Sequence, residues 1–177
     1  YIGGLGAGRL NAKAAVEYVA QNMIVASAND ISCFGLNDGS IILTNTLGAM
    51  NSYSWSSTDG SGLITSNDNQ TGLSGGTYDV VITDSNGCSI SQSVTLIEPT
   101  KLISTIAVST YSGGVNISCN GLSDATIDFD ITGGKPDYSY SWSTIDGSGV
   151  SPASQDQNGL SPGTYLITVT DSAGCFV

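Results

Sequence analysis

The segment GLSGGTYDVVITDSNGC, Gly72 to Cys88, returns as GLSPGTYLITVTDSAGC, Gly159 to Cys175, and its reading decides the fold. Each copy runs from a Gly-Leu-Ser turn through Thr-Tyr into a β-branched stretch, then through Asp-Ser-x-Gly to a cysteine. A short alternating run bounded by turn residues is the pattern of a half-buried strand entering a hairpin. The offset is 87 residues (159 − 72). Outward from this segment the copying continues. ISCFGLND at Ile31 returns as ISCNGLSD at Ile117 with an offset of 86 (117 − 31), YSWS at Tyr53 returns at Tyr140, and DGSG at Asp59 returns at Asp146. A period of this size marks tandem copies of one small domain. Positions shared by the copies serve the common architecture.

In a chain of 177 residues the period predicts a leader over residues 1–22, a first module over 23–100 and a second over 101–177, both modules small by domain standards. The leader differs in kind. Ala12, Ala15, Val16, Val19 and Ala20 follow the i, i+3, i+4 spacing of an apolar helical stripe, with Asn11 placed to cap it. From Met23 the pattern has period two. MIVAS, SIILTN, NSYSWSS, TYDVVITD and SISQSVTLIE read as strands of copy one, and TIAVST, TIDFDIT, YSYSWST and TYLITVTD as strands of copy two. TIDFDIT is the clearest, with Ile127, Phe129 and Ile131 on one face and Asp128 and Asp130 on the other. The chain therefore reads as all-β: two tandem immunoglobulin-like β-sandwich modules preceded by a short α-helix. Trp55 and Trp142 are expected to plug the two cores, and Tyr78 and Tyr165, in Leu-Ser-x-Gly-Thr-Tyr, to form tyrosine corners.

The four cysteines fall as Cys33 and Cys88 in copy one and Cys119 and Cys175 in copy two. Three pairings are open to them. Pairing within each copy, Cys33 with Cys88 and Cys119 with Cys175, treats both copies alike and would tie one end of each sandwich. The alternatives are four reduced thiols or a metal site. No CxxC spacing occurs and the chain lacks histidine, which weighs against zinc. Disulfides imply an oxidising, extracytoplasmic address. No signal peptide or apolar run long enough for a membrane span is present, so the module is expected to come from the interior of a longer precursor.

The net charge of −11 repels nucleic acid and anionic membrane surfaces. Without histidine there is no Ser-His-Asp or Cys-His relay. GGLGAG at Gly3 lacks the preceding strand and βαβ setting of a dinucleotide loop. Asp128 and Asp130 could serve as paired carboxylates, yet copy one has Ile42 and Thr44 there, which favours a solvated strand face. No catalytic or cofactor-binding residue emerges. Calcium is the one metal whose oxygen ligands are abundant. Asp84 and Asp171 in the Asp-Ser-x-Gly turns, and Asp59 and Asp146 in DGSG with Asp68 and Asp156 nearby, are the candidates for a structural ion. Tyr53, Tyr111, Tyr138 and Tyr140 would have to form a flat platform for carbohydrate binding. Copy two ends two residues past Cys175, whereas SISQSVTLIE follows Cys88. Either the sequence stops before its last strand, or another segment fills that slot by strand addition.

The combination Cys-x-Gly-x-x-Asp, Tyr-Ser-Trp-Ser, Gly-Leu-Ser-x-Gly-Thr-Tyr and Thr-Asp-Ser-x-Gly-Cys, closing in copy one on Glu-Pro-Thr, resembles the SprB repeat over roughly residues 24–177, in two copies. That resemblance implies an immunoglobulin-like module of large surface proteins of Bacteroidota, gliding adhesins among them, many exported by the type IX secretion system. The leader YIGGLGAGRLNAKAAVEYV resembles the last helix of a subtilisin-like serine protease domain, which implies catalytic residues further upstream. Asp171-Ser172-Ala173 is similar to the short O-glycosylation motif of that phylum. Together these resemblances imply an extracellular or cell-surface accessory region, itself without catalysis. Its partners would be other surface proteins, extracellular polymers or further copies joined by strand addition.

Overall fold

The computed structural model describes residues 25–44, 52–85 and 87–177. These form eleven strands and, among the described residues, no helix. The helix predicted over the leader lies outside them. The chain divides into two compact units, one holding residues 25–30 with Asn37–Leu96, the other Ile31–Leu36 with Ile97–Val177.

In the first unit β1 (Val25–Asn29), β2 (Gly39–Thr44) and β4 (Gln70–Leu73) make one antiparallel sheet, in the order β1-β2-β4. β3 (Ser52–Ser57), β5 (Gly76–Thr83) and β6 (Ser89–Leu96) make the other, with β5 central. Alternation along β5 turns Tyr78, Val80 and Ile82 inward. The register sets Trp55 against Val80, and these residues close on Ile41, Leu43, Leu73 and Leu96 in one core. Two sheets facing each other over such a core are the predicted sandwich.

The second unit repeats the plan. β7 (Ile103–Val108), β8 (Ala125–Thr132) and β10 (Gln157–Leu160) form one sheet with β8 central, and β9 (Ser139–Thr144) pairs with β11 (Tyr165–Thr170). Ile127 and Phe129 are buried on β8 while Asp128 and Asp130 face water, as the alternation predicts; Ile131 is half-buried. Phe129 packs edge-on against Tyr140 and Trp142, with ring centroids 6.1 and 6.0 Å apart. After Cys175 the chain turns back beside β11. Thr170 bridges Phe176, and Val169 and Val177 exchange both backbone hydrogen bonds at 3.0 Å. This is the register of Thr83 with Ser89 in the first unit, one period on.

The strand predictions hold to within two residues at most ends, but β4 and β10 are additions. Each is four residues long, Gln-x-Gly-Leu, and its glycine and neighbouring turn residues give it the composition of a loop. The strand exists because the outer residues, Gln70 with Leu73 and Gln157 with Leu160, are buried against the core.

The disulfide differs from the within-copy pairing. Cys33 is bonded to Cys175, with Cα atoms 5.6 Å apart, while Cys88 and Cys119 are free and exposed. The cause is the placement of Ile31–Leu36 in the second unit. Ile31 is fully buried there and donates its N–H to the Ile97 carbonyl at 3.1 Å, and the Gly35 N–H donates to the Glu98 carboxylate. Those contacts hold the Cys33 loop over the hairpin that carries Cys175.

Candidate functional site

The cysteine junction is the candidate site, and both of its halves are built by local hydrogen bonds. On one side, Leu36 N–H closes a turn on the Cys33 carbonyl at 3.1 Å, with Gly35 at φ 81°. On the other, Asp171 organises the hairpin. Its carboxylate accepts from the backbone N–H of Ala173 and Cys175, both at 2.9 Å, and from Lys135 at 2.8 Å. Burial pushes the Asp171 carboxyl up, but the N–H groups of Lys135, Cys175, Ala173 and Gly174 outweigh it, and the net shift is downward. A groove of about 340 Å³ opens beside the disulfide, walled by Phe34, Leu36, Leu102, Phe176 and Val177. Phe34 and Phe176 are well exposed at its rim. The junction can hold two chain segments covalently beside an apolar cleft.

The thiols left over sit in the same two settings. Leu122 N–H closes on the Cys119 carbonyl at 3.2 Å with Gly121 at φ 85°. The loop is pinned by Asp124, which accepts from both the N–H and the hydroxyl of Ser118. The hydroxyl is the largest of the influences that hold the Asp124 carboxyl below its ordinary value. Cys88 N–H donates to Asp84 Oδ1 at 2.8 Å, as Cys175 does to Asp171.

The calcium candidates accept hydrogen bonds from nearby backbone N–H groups. Asp59 Oδ1 accepts from Thr77 N–H at 2.8 Å, and Asp146 Oδ1 from Thr164 N–H at 2.6 Å. Asp84 and Asp171 cap their hairpins as described. Among the described residues no three His, Cys, Asp or Glu side chains gather as a metal group. DGSG is a clamp in both copies. Its first glycine lies under the corner tyrosine, and its second, Gly62 or Gly149 near φ 90°, packs so closely on the carbonyl of Gly72 or Gly159 that a Cβ would stand 2.3 Å from the oxygen.

Tyr78 Oη lies 2.9 and 2.8 Å from the carbonyls of Ser61 and Ser74, and Tyr165 Oη lies 2.9 and 2.7 Å from those of Ser148 and Ser161. One shared hydroxyl proton thus ties the clamp to the turn before β5 or β11, which is the expected tyrosine corner. Trp55 and Trp142 are buried in their cores. The Trp142 indole donates to the Ser154 carbonyl at 2.9 Å, while Trp55 Nε1 has no acceptor among the described residues. Tyr53, Tyr138 and Tyr140 pack against the cores rather than lying as a flat platform. The hydroxyls of Tyr111, Tyr138 and Tyr140 are engaged by the Asp124 carbonyl, the Gly133 carbonyl and Gln155.

Sequence alone does not single out Gln70 and Gln157. Both are buried, and each side-chain amide closes a loop in both directions. Gln70 Oε1 accepts from Ile64 N–H at 2.9 Å while its Nε2 donates to the carbonyls of Ile64 and Asn67; Gln157 does the same with Ser151 and Ser154. The available signal was their recurrence one period apart.

No curated protein and no solved structure matches the chain. A family model does: residues 114–147, which run from the Cys119 loop through β8 and β9, match the SprB repeat, a module type of bacterial cell surfaces and adhesins.

Proposed function

We propose that the chain is a non-catalytic accessory region of a secreted or surface-displayed protein. Its sandwiches space, display or bind, and a subtilisin-like serine protease domain precedes them. The SprB match over residues 114–147 carries the surface assignment. Export by the type IX route fits a module of that kind, with other surface proteins or extracellular polymers as partners. The protease clause is supported by the leader YIGGLGAGRLNAKAAVEYV, and the lack of histidine leaves any Ser-His-Asp triad to that neighbouring domain. Two measurements test the parts separately. Antibody against residues 101–177 should label intact producing cells or their medium; a signal seen only after lysis overturns the surface assignment. Upstream coding sequence without Asp, His and Ser motifs overturns the protease clause alone.

A second reading, assembly by strand addition, is favoured by one observation. Ile106 and Val108 on β7 are register partners of buried Phe129 and Ile127 and so face inward, yet they are 54% and 44% exposed. In the first unit β6 pairs with β5 and packs on β1, whereas β11, the counterpart of β5, pairs only with β9 along Tyr165–Thr168, among the described residues. A strand patterned like β6 would cover both features. A peptide SISQSVTLIE should bind and raise the unfolding midpoint of the second unit; indifference to it would remove this reading.

A further inference from the structure

Each copy carries one cysteine in the loop before its second strand and one in the hairpin after its Thr-Tyr strand, β5 or β11. The bond observed runs from the loop of copy one, Cys33, to the hairpin of copy two, Cys175. A link that steps forward by one copy leaves two unlike halves, a loop cysteine in copy two and a hairpin cysteine in copy one. Those are Cys119 and Cys88, and both are exposed thiols.

We propose that Cys119 is a docking site for the hairpin cysteine of another copy of this repeat, joined to it by a disulfide of the Cys33–Cys175 kind. The partner is Cys88 of a second copy of this chain, the one hairpin thiol left free and exposed among the described residues. Two observations carry this beyond exposure. Their counterparts one period away are seen bonded to each other. The unbonded halves also share the turn closures and glycine conformations of the bonded ones. The Cys119 and Cys33 turns close at 3.2 and 3.1 Å, and their glycines have φ of 85° and 81°. In the hairpins, Gly87 and Gly174 have φ of 85° and 87°, and the Asp84 and Asp171 N–H groups both donate to the following cysteine's carbonyl at 2.9 Å. Leu122 stands exposed beside Cys119 as Leu36 does beside Cys33. Because the halves are unlike, the contact is head-to-tail and can propagate from copy to copy.

The bond forms by thiol–disulfide exchange with a disulfide oxidant such as oxidised glutathione. The Cys119 thiolate attacks one glutathione sulfur and expels the other as a thiolate. The hairpin cysteine thiolate then attacks the Cys119 sulfur and expels the second glutathione. Two protein thiols are oxidised and one glutathione disulfide is reduced to two thiols.

The test uses the whole 177-residue chain in oxidised glutathione, with non-reducing mass analysis and disulfide mapping. Cys88→Ser and Cys119→Ser should each remain monomeric alone and yield a heterodimer when mixed, linked between Cys119 of the first and Cys88 of the second. In a second arm, the chain is extended after Val177 by another copy of residues 91–177. That extension offers Cys119 a hairpin cysteine on its own polypeptide in competition with a second chain. A heterodimer supports the second-chain partner; a bond in the extended chain with no heterodimer overturns it and assigns the partner to the same polypeptide. Equal dimerisation of either variant by itself, Cys119 left as a thiol in both arms, or mapped Cys33–Cys88 and Cys119–Cys175 bonds would overturn the proposal.

Discussion

A Cβ placed on Gly60 would stand 2.4 Å from Cζ of Tyr78, so the buried ring rests directly on the glycine backbone. Tyr78 cannot yield, because its ring is fully enclosed and its hydroxyl is tied to Ser61 and Ser74. Gly60→Ala should therefore destabilise the first unit by roughly 1–3 kcal/mol, the usual cost of overpacking. Gly147→Ala meets Tyr165 at the same 2.4 Å. That tyrosine is only half-buried, so its ring can shift and the loss should be smaller. Hydrogen exchange along β5 and β11 reads the two units separately; equal protection in wild type and Gly60→Ala would refute the steric account.

Gln70→Leu keeps a buried side chain of similar size and removes the amide that serves Ile64 N–H and the carbonyls of Ile64 and Asn67. Leaving buried polar groups without partners costs about 1–3 kcal/mol. Denaturant unfolding should show a loss of that order, with β4 losing exchange protection first. A Gln70→Leu protein as stable as the parent would mean that water replaces the amide without cost.

The pairing can be counted. With Cys33 and Cys175 bonded and Cys88 and Cys119 free, titration of freshly purified, non-reduced chain in denaturant should find two thiols, and maleimide should mark Cys88 and Cys119 even in the folded protein. Within-copy pairing gives none. Cys175→Ser should destabilise the second unit by up to about 5 kcal/mol, the chain-entropy value for so long a loop.

These outcomes separate what composition and spacing expose from what they hide. The sandwich is legible because β5 and β8 alternate strictly, and Tyr78 and Tyr165 stand where a corner requires them. The clamp is legible as repetition but not as mechanism, since DGSG is equally good vocabulary for a cation loop; the contacts of Asp59 with Thr77 and of Gly60 with Tyr78 appear only in the fold. The disulfide is hidden for a reason of symmetry. A repeat fixes equivalence between Cys33 and Cys119, but a bond that stays in its copy and one that steps to the next leave the same spacing in the sequence. Gln70 and Gln157 are hidden because burial of an amide depends on partners that the fold supplies only after β4 and β10 form.

Asp171 makes the junction sensitive to acid. Burial raises its pKa, the N–H groups of Lys135, Cys175, Ala173 and Gly174 lower it further than burial raises it, and the folded value ends below the ordinary one. An unfolded aspartate titrates near pH 3.9. The carboxylate's contribution is therefore complete above that value and disappears as pH falls through the lower folded value. Asp171→Asn removes the charge and presents an amide N–H₂ toward donors that need an acceptor. At about pH 6 the variant should unfold at lower urea than the parent, and the gap should close as pH is lowered toward about 3, because protonation then gives the parent the same loss. A gap that stays constant across that range would show that the hairpin is held by shape alone and not by the ionised carboxylate.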